Sequence, residues 1–295
     1  NDGCLSRRII NLAVAFAGLI QGGLGLVAIA ASVLLASLSG SAIADTAALA
    51  TLLIPMMRDN GYPVGRASGL IASGGIIAPI IPPSMPFIIF GVTTNTSITA
   101  LFLAGIVPGL LMGVGLIITW LWVSRGMQVK PQPRQSWAQR RHALLDGIWA
   151  LMLPVIIIGG LKFGVFTPTE AAVVAAVYSL LVSLLVYREL KLPALQPVFV
   201  HAARTTATVM FLCAAAMVSS YMITLADLPA QIGQMLGPLM EQPRLLMAAM
   251  MLLLLLVGIV MDLTPTILVL GPVMMPLVLQ AGIDPTYFGV MFILV

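Results

Sequence analysis

The sequence predicts an all-α polytopic membrane protein built as an inverted repeat, with two re-entrant helical hairpins and proline-broken helices. Three observations lead there. The first is charge: 60% of the 295 residues are hydrophobic and 8% are charged, against about 25% charged in soluble domains. With several apolar runs of about 18 residues or more, this is a chain made for the bilayer. The second is a set of polar breaks inside apolar runs, at Ser39-Gly40-Ser41, at Ile81-Pro82-Pro83-Ser84 and at Asp262-Leu263-Thr264-Pro265-Thr266. In hydrocarbon every backbone N–H and C=O needs a partner, so a break survives only where it is buried in protein or lines a polar cavity. The third is an internal repeat: Pro55, Gly61 and Pro63 in one half answer to Pro276, Gly282 and Pro285 in the other, with Pro55 and Pro276 lying 221 positions apart.

Residues 1–22 form an interfacial arm, amphipathic from Leu5 to Leu19, with Arg7 and Arg8 at its start. Residues 23–97 form the first repeat. Its hairpin, 23–57, joins Gly23–Leu38 to Ala42–Met57. Each arm is about 24 Å long at 1.5 Å per residue, short of a roughly 30 Å hydrocarbon core, so both arms enter and leave by one face. Arg58 to Pro63 is a turn. A broken helix follows at 66–95, as Ala67–Ile81 and Met85–Val92 around Pro82-Pro83, and Thr93–Ser97 is a polar loop.

Residues 98–204 form scaffold spans and an interfacial arm. Thr99–Val123 spans, kinked at Pro108-Gly109; Leu144–Leu161 and Ala171–Tyr187 span again; 188–204 is basic and interfacial. Thr167-Pro168-Thr169-Glu170 is an N-cap, a first-turn proline and a capping acid. Residues 205–295 form the second repeat: the span Thr205–Leu225, a polar interfacial stretch from Asp227 to Pro243, the hairpin 244–281 broken at Asp262–Thr266, and a new helix from Tyr287. Both chain ends read as cut. The counterpart of Pro82 falls near position 303, so the second repeat stops before its broken helix.

Charge fixes the orientation. With a cytoplasmic N-terminus and both hairpins returning to their side of entry, cytoplasmic loops hold 12 of the 14 basic residues, leaving only Lys162 and Arg244 outside. The first hairpin then opens inward and the second outward, so the two tips meet near the midplane. The same scatter of basic residues over short loops excludes nucleic acid as a partner. No His/Asp/Glu metal set and no nucleophile–base pair is present, which disfavours an enzyme. Cys213 is a packing residue, His142 and His201 are interfacial, Glu170 caps a helix and Asp284 belongs to a turn. The run Met247–Met261 is packing or lipid-facing, lacking the converging ligands of a copper site.

An ionisable residue at membrane depth is a functional-site signal. Asp45, one turn past the first tip, and Asp262, at the second, are the two acids in question. Serines and glycines in membrane helices more often serve close packing; the three features Ser39, Ser41 and Asp45 at one break favour a site instead. On these motifs the chain resembles the large membrane subunit of tripartite ATP-independent periplasmic (TRAP) transporters. The resemblance runs over all 295 residues. It is carried by Ser39-Gly40-Ser41-Ala42 with Ala44-Asp45, Ile54-Pro55-Met56 with Gly61-Tyr62, Ile81-Pro82-Pro83-Ser84, Met261-Asp262, Pro272, Pro276, Gly282-Ile283-Asp284-Pro285 and Phe288-Gly289-Val290. The blocks Gly74–Pro79 and Asp262–Thr266 look most like the 2,3-diketogulonate branch. The family pattern also includes an Ile-Thr-Pro-Pro element, absent from this chain, near the position the repeat indicates.

What the resemblance implies is an elevator-type secondary transporter, related to the ion transporter superfamily, driven by sodium and importing an organic acid across a bacterial inner membrane. Its partners would be a periplasmic binding protein that delivers substrate and a small membrane subunit. Sodium takes oxygen ligands, which a broken helix supplies from freed carbonyls and nearby side chains. On this reading Ser39, Gly40, Ser41, Asp45, Pro82 and Ser84 serve one ion. Asp262, Thr264 and Thr266 serve a second. Ser39, Ser84, Thr264 and Thr266 meet the substrate, whose carboxylate faces half-helix N-termini. No cofactor is implied beyond the coupling ion. The alternative is a non-transporting fragment or an assembly scaffold.

Overall fold

The computed structural model describes residues 8, 12–13, 22–127, 137–188, 190–226 and 242–295. Among these the chain is all helix: α1 Gly23–Ser39, α2 Ala42–Asp59, α3 Val64–Gly75, α4 Met85–Thr94, α5 Ile98–Ser124, α6 Trp137–Lys162, α7 Pro168–Leu181 with a π-helical turn Val182–Val186, α8 Leu192–Leu225, α9 Pro243–Gly258, α10 Leu263–Gln280 and α11 Pro285–Leu294. Among the described residues five stretches are long and apolar enough to cross a membrane: 98–124, 141–162, 168–186, 193–219 and 263–280. The arm predicted at 1–22 and the polar stretch 227–243 fall almost wholly outside the described residues.

The chain divides into two compact units, one of Asn1–Ser84 with Gly105–Leu192, the other of Met85–Ala104 with Pro193–Val295. In the first, α1 and α2 pack together across a two-residue turn and α3 packs on both. Leu49, Leu53 and Met57 recur every four residues on α2, and Ala67, Leu70 and Ile71 form the inner face of α3; all are buried against Val27, Ala28, Ala31 and Leu35 of α1. Lipid offers no hydrophobic drive between helices, so close contact of small residues does this work.

Trp120 closes one end of this unit. Its indole N–H donates to the Gly22 carbonyl at 2.8 Å, and its ring stacks on Tyr62 with centroids 6.1 Å apart. A Cβ on Gly25 would lie 1.9 Å from the indole, so that position admits glycine alone. Ala13, Met127 and Ala150 join the same cluster. This gathers the start of α1, the α2–α3 turn, the end of α5 and the first half of α6 at one end, with Arg58, Arg66, Arg125 and Arg141. Lys162 lies at the other end of α6. The sorting is that of the positive-inside rule.

α6 and α7 pack side by side, tied by two tyrosines: Tyr178 donates to the Trp149 carbonyl at 2.7 Å and Tyr187 to the Asp146 carbonyl at 2.5 Å. The α7 start is the capping box the sequence indicates. Thr167 Oγ1 accepts from the Glu170 N–H at 3.4 Å, and Glu170 Oε2 accepts from the Thr167 N–H at 2.8 Å and from its hydroxyl at 2.9 Å. Thr167→Ala removes the hydroxyl's bonds to the Glu170 N–H and carboxylate, leaves the backbone N–H bond to Glu170, and is expected to cost about 1 kcal/mol. That corresponds to a Tm lower by roughly 2–4 °C in a domain of this size, read by thermal unfolding in detergent, with transport unchanged.

In the second unit α4 packs on α10, and α9, α10 and α11 touch one another. Phe90, Phe288 and Phe292 form a ring cluster with centroids 5.5–6.2 Å apart. Gly289 sits where a Cβ would come within 2.7 Å of Phe90 and Leu101. Asp284 caps α11, its carboxylate accepting from the Tyr287 N–H at 2.7 Å. Helix α8 runs unbroken from Leu192 through Pro197 to Leu225, so the stretch 192–204, read from sequence as a separate segment, continues into the span that follows. Pro193 falls in the first turn, where its missing N–H would have had no partner, and Pro197 loses one bond only.

Two turns, one in each unit, share a backbone hydrogen-bond pattern. Around the first turn Asn60 N–H bonds to Met56, Gly61 to Arg58 and Tyr62 to Met57. Ala281 N–H bonds to Leu277, Gly282 to Leu279 and Ile283 to Val278. Each pair lies 221 positions apart, and both glycines are left-handed, φ 85° and 70°.

Candidate functional site

The first candidate half-site lies wholly in the first unit. Helix α1 ends at Gly40, which takes the left-handed conformation, φ 60° and ψ 15°, and donates its N–H to the Ala36 carbonyl at 3.2 Å. Only a residue without a Cβ adopts this cheaply. Ser41 is then the N-cap of α2, its Oγ accepting from the Ala44 N–H at 3.4 Å. The break is thus two residues, Gly40 and Ser41. Ser39 closes α1, and its side chain lies outside the described residues. Asp45 sits in the first turn of α2 and is 2% exposed; its N–H bonds to the Ser41 carbonyl at 3.0 Å. A carboxylate here lies at the positive end of the helix dipole.

Two side chains bring the tip against the second break. A Cβ on Gly75 would lie 1.8 Å from Thr46 Oγ1 and 3.2 Å from the Ala42 carbonyl oxygen; one on Gly74 would lie 2.3 Å from Ser32 Oγ. Ala36, in the last turn of α1, packs with Ile77, Ala78 and Ile81. The end of α3 and the segment after it therefore rest on the tip of the α1–α2 pair.

That segment is wider than the sequence suggested. The reading placed helix up to Ile81; α3 stops at Gly75 and tight turns run to Ile81, with Ile77 N–H on the Gly74 carbonyl at 3.2 Å and Ala78 N–H on Gly75 at 3.1 Å. Pro79 explains the early stop, since in a continuing helix its ring would meet the Gly75 carbonyl and its nitrogen could not donate. Pro82 and Pro83, joined by a cis peptide bond, likewise cannot supply the Ala78 and Pro79 carbonyls. The Ser84 hydroxyl, 0% exposed, donates to the Pro79 carbonyl in place of the missing amide. Pro82 is buried with it. Ser84 thus has a backbone role.

The second candidate half-site lies in the second unit. The sequence placed the break at 262–266. In the structure it falls at Ile259–Asp262, and Thr264, Pro265 and Thr266 belong to the first turn of α10. Pro265 is the third helical residue, where an amide would have no intrahelical partner, so it costs the helix nothing. Asp262 is the N-cap residue, exposed and making no side-chain cap bond. Thr264 is half-buried. Thr266 is 4% exposed, and its hydroxyl donates to the Asp262 carbonyl at 2.8 Å.

By residue type Asp45 answers to Asp262, 217 positions further on. The register of 221 that matches the turns instead pairs the caps Ser41 and Asp262, and the buried first-turn residues Asp45 and Thr266. The matching bonds, Asp45 N–H to the Ser41 carbonyl at 3.0 Å and Thr266 N–H to the Asp262 carbonyl at 3.2 Å, carry the same correspondence. The halves are therefore chemically unequal: one buries a carboxylate where the other buries a hydroxyl.

The sequence reading passed over two features. Thr46 carried no signal, and the Gly74-Gly75 pair stood out only as part of the family block Gly74–Pro79, not as the residues that join tip to break. In the second unit a cavity of about 430 Å³ is lined by Thr94, Asn95, Thr96 and Ser97 with Met275, Leu279, Pro285 and Thr286. It joins the 95–97 loop to the 282–285 turn, two segments free of basic residues that the charge pattern assigns to one side.

A family model described as the tripartite ATP-independent periplasmic transporter, DctM component, matches residues 1–295. A 2,3-diketo-L-gulonate TRAP transporter large permease protein of Escherichia coli K12 is 56% identical over 294 residues, which cover 100% of this chain and 69% of that relative. A sialic acid TRAP transporter large permease protein of Vibrio cholerae is 38% identical over 294 residues, 100% of this chain and 69% of the relative. A C4-dicarboxylate TRAP transporter large permease protein of Pseudomonas aeruginosa is 36% identical over 291 residues, 99% and 68%.

Proposed function

The chain belongs to the DctM component family of tripartite ATP-independent periplasmic transporters, and from that premise we propose that it is the translocating subunit of a sodium-driven importer of a small organic acid. It is a multi-pass membrane transporter subunit, not an enzyme. The further reading is an elevator in the bacterial inner membrane, working with a small membrane subunit and a periplasmic binding protein that delivers the substrate. A sugar acid of the diketogulonate kind is the substrate class favoured, by similarity to the Escherichia coli relative.

The observation that carries the sodium reading is the first half-site. A buried acid in the first turn of α2, a glycine turn beside it and a proline-broken segment resting on that turn are brought together within one unit. Such a place offers oxygen ligands and a compensating negative charge for a monovalent cation. Within each half-site taken by itself, a helix N-terminus, that of α2 or that of α10, offers a positive end to a substrate carboxylate.

The test is uptake into liposomes containing the full-length protein, its small subunit and its binding protein. Uptake is expected to need an inward sodium gradient and to vanish in Ser39→Ala and Asp262→Asn. Undiminished uptake without sodium overturns the coupling ion, and undiminished uptake by both variants overturns the site.

A further inference from the structure

One cluster at the basic end of the first unit plays no part in the proposed transport site. Asp146 of α6 binds Arg8 at 2.6 Å and His142 at 3.3 Å through the same carboxylate oxygen. Its carbonyl accepts from Tyr187, and the Arg8 guanidinium lies over the Tyr187 ring, 5.3 Å from its centroid. The one described acid of the cluster is thereby neutralised. Close by along the chain, with Arg141 five residues before Asp146 and Arg188 and Lys191 one and four residues after Tyr187, come three exposed permanent cations, none with an ion-pair partner among the described residues. Arg188 engages only Nε, on the Leu185 carbonyl at 3.4 Å. Glu189 lies outside the described residues. On the same stretches of chain, α6 and the π turn after α7 expose Leu145, Ile148, Leu185 and Val186.

We propose that this end of the unit, around Arg141, Arg188 and Lys191, is a seat for the headgroup of an anionic phospholipid. Three cations with a neutralised acid attract phosphate. The exposed apolar side chains next to them suit acyl chains and would repel a soluble anion's hydration shell. Basic pockets between membrane helices on the cytoplasmic side are suited to such headgroups, and the charge asymmetry of the chain places this end there. Tyr187 has the amphipathic ring of an interfacial residue, fixed in place by Asp146 and Arg8.

The experiment uses the full-length protein, stripped of lipid in detergent and titrated with phosphatidylglycerol or phosphatidylcholine of identical acyl chains, with bound lipid counted by native mass spectrometry. Phosphatidylglycerol is expected to bind preferentially. The combined Arg141→Gln, Arg188→Gln and Lys191→Gln variant is expected to lose that preference, by about fivefold per cation, the attraction of one basic residue to an anionic surface. The Arg141→Lys, Arg188→Lys variant keeps charge and is expected to keep the preference, which separates lost charge from lost fold. Equal binding of the two lipids, or an unchanged preference in the glutamine variant, overturns the proposal. Displacement of the lipid by millimolar glycerol phosphate also overturns it, as the mark of a soluble-anion site.

Discussion

Gly75→Ala is expected to cripple transport while Gly65→Ala and Gly69→Ala leave it intact. All four glycines of α3 (65, 69, 74 and 75) are helical, and on propensity alone alanine gains roughly 0.5–1 kcal/mol at an interior position. Packing decides the sign. A Cβ at Gly65 or Gly69 meets nothing within 4 Å; at Gly75 it meets Thr46 Oγ1 at 1.8 Å, Thr46 Cβ at 3.1 Å and the Ala42 oxygen at 3.2 Å. Thr46 is β-branched, so turning its hydroxyl away is restricted, and its Cβ and the Ala42 backbone remain too close after it turns. Overpacking of this kind costs about 1–3 kcal/mol. If the strain is relieved by the tip moving off α3, it reappears as a roughly five- to hundredfold weaker sodium affinity, at 1.4 kcal/mol per decade. Thr46→Ala removes the 1.8 Å contact but keeps the Cβ at 3.1 Å and leaves the Ala42 oxygen at 3.2 Å, so the double variant is expected to recover part of the loss. Sodium titration of uptake reads the effect. A Gly75→Ala protein with wild-type sodium dependence would show that the tip and α3 are not mechanically joined.

Where the chain announces its own local rules, the structure follows the sequence closely. Thr167, Pro168 and Glu170 specify a helix start by themselves, and Gly40, Gly61 and Gly282 mark turns because each adopts positive φ. What eluded the sequence depends on partners far along the chain. Gly74 and Gly75 read as part of a family block and not as a contact until Ser32 and Thr46 stand against them. Pro265 reads as part of a break and Pro197 lies in a stretch read as a separate interfacial segment, yet one falls where no amide bond is due and the other costs one bond of a 34-residue helix. The pairing of Asp45 with Asp262 followed residue type; the hydrogen bonds follow backbone register, which places Thr266 opposite Asp45. Side-chain chemistry and backbone position thus diverge at the repeat, at the place where the two halves would divide their labour.

That divergence sets the second large expectation, at Asp45. Asp45→Asn keeps shape and removes charge at a position 2% exposed. A carboxylate at membrane depth costs about 2.5–3.5 kcal/mol on the insertion scale, so a carboxylate retained only for packing would be dispensable: the asparagine protein would be as stable or more so, with unchanged sodium dependence. A carboxylate that balances a bound cation gives a different pair of results. Without sodium the variant is as stable as the parent or more so, while the rise in Tm on adding sodium, which reports binding to the folded state alone, is lost. Sodium-driven uptake falls by about tenfold or more, since interactions with a charged partner are worth about 1.5–3 kcal/mol. Thr266→Val, its counterpart by register, is expected to do less. Its hydroxyl is already engaged by the Asp262 carbonyl at 2.8 Å, and no charge is lost with it. Equal losses of the sodium-induced shift in the two variants would mean that the halves contribute alike, and that the buried carboxylate is not what distinguishes the first from the second.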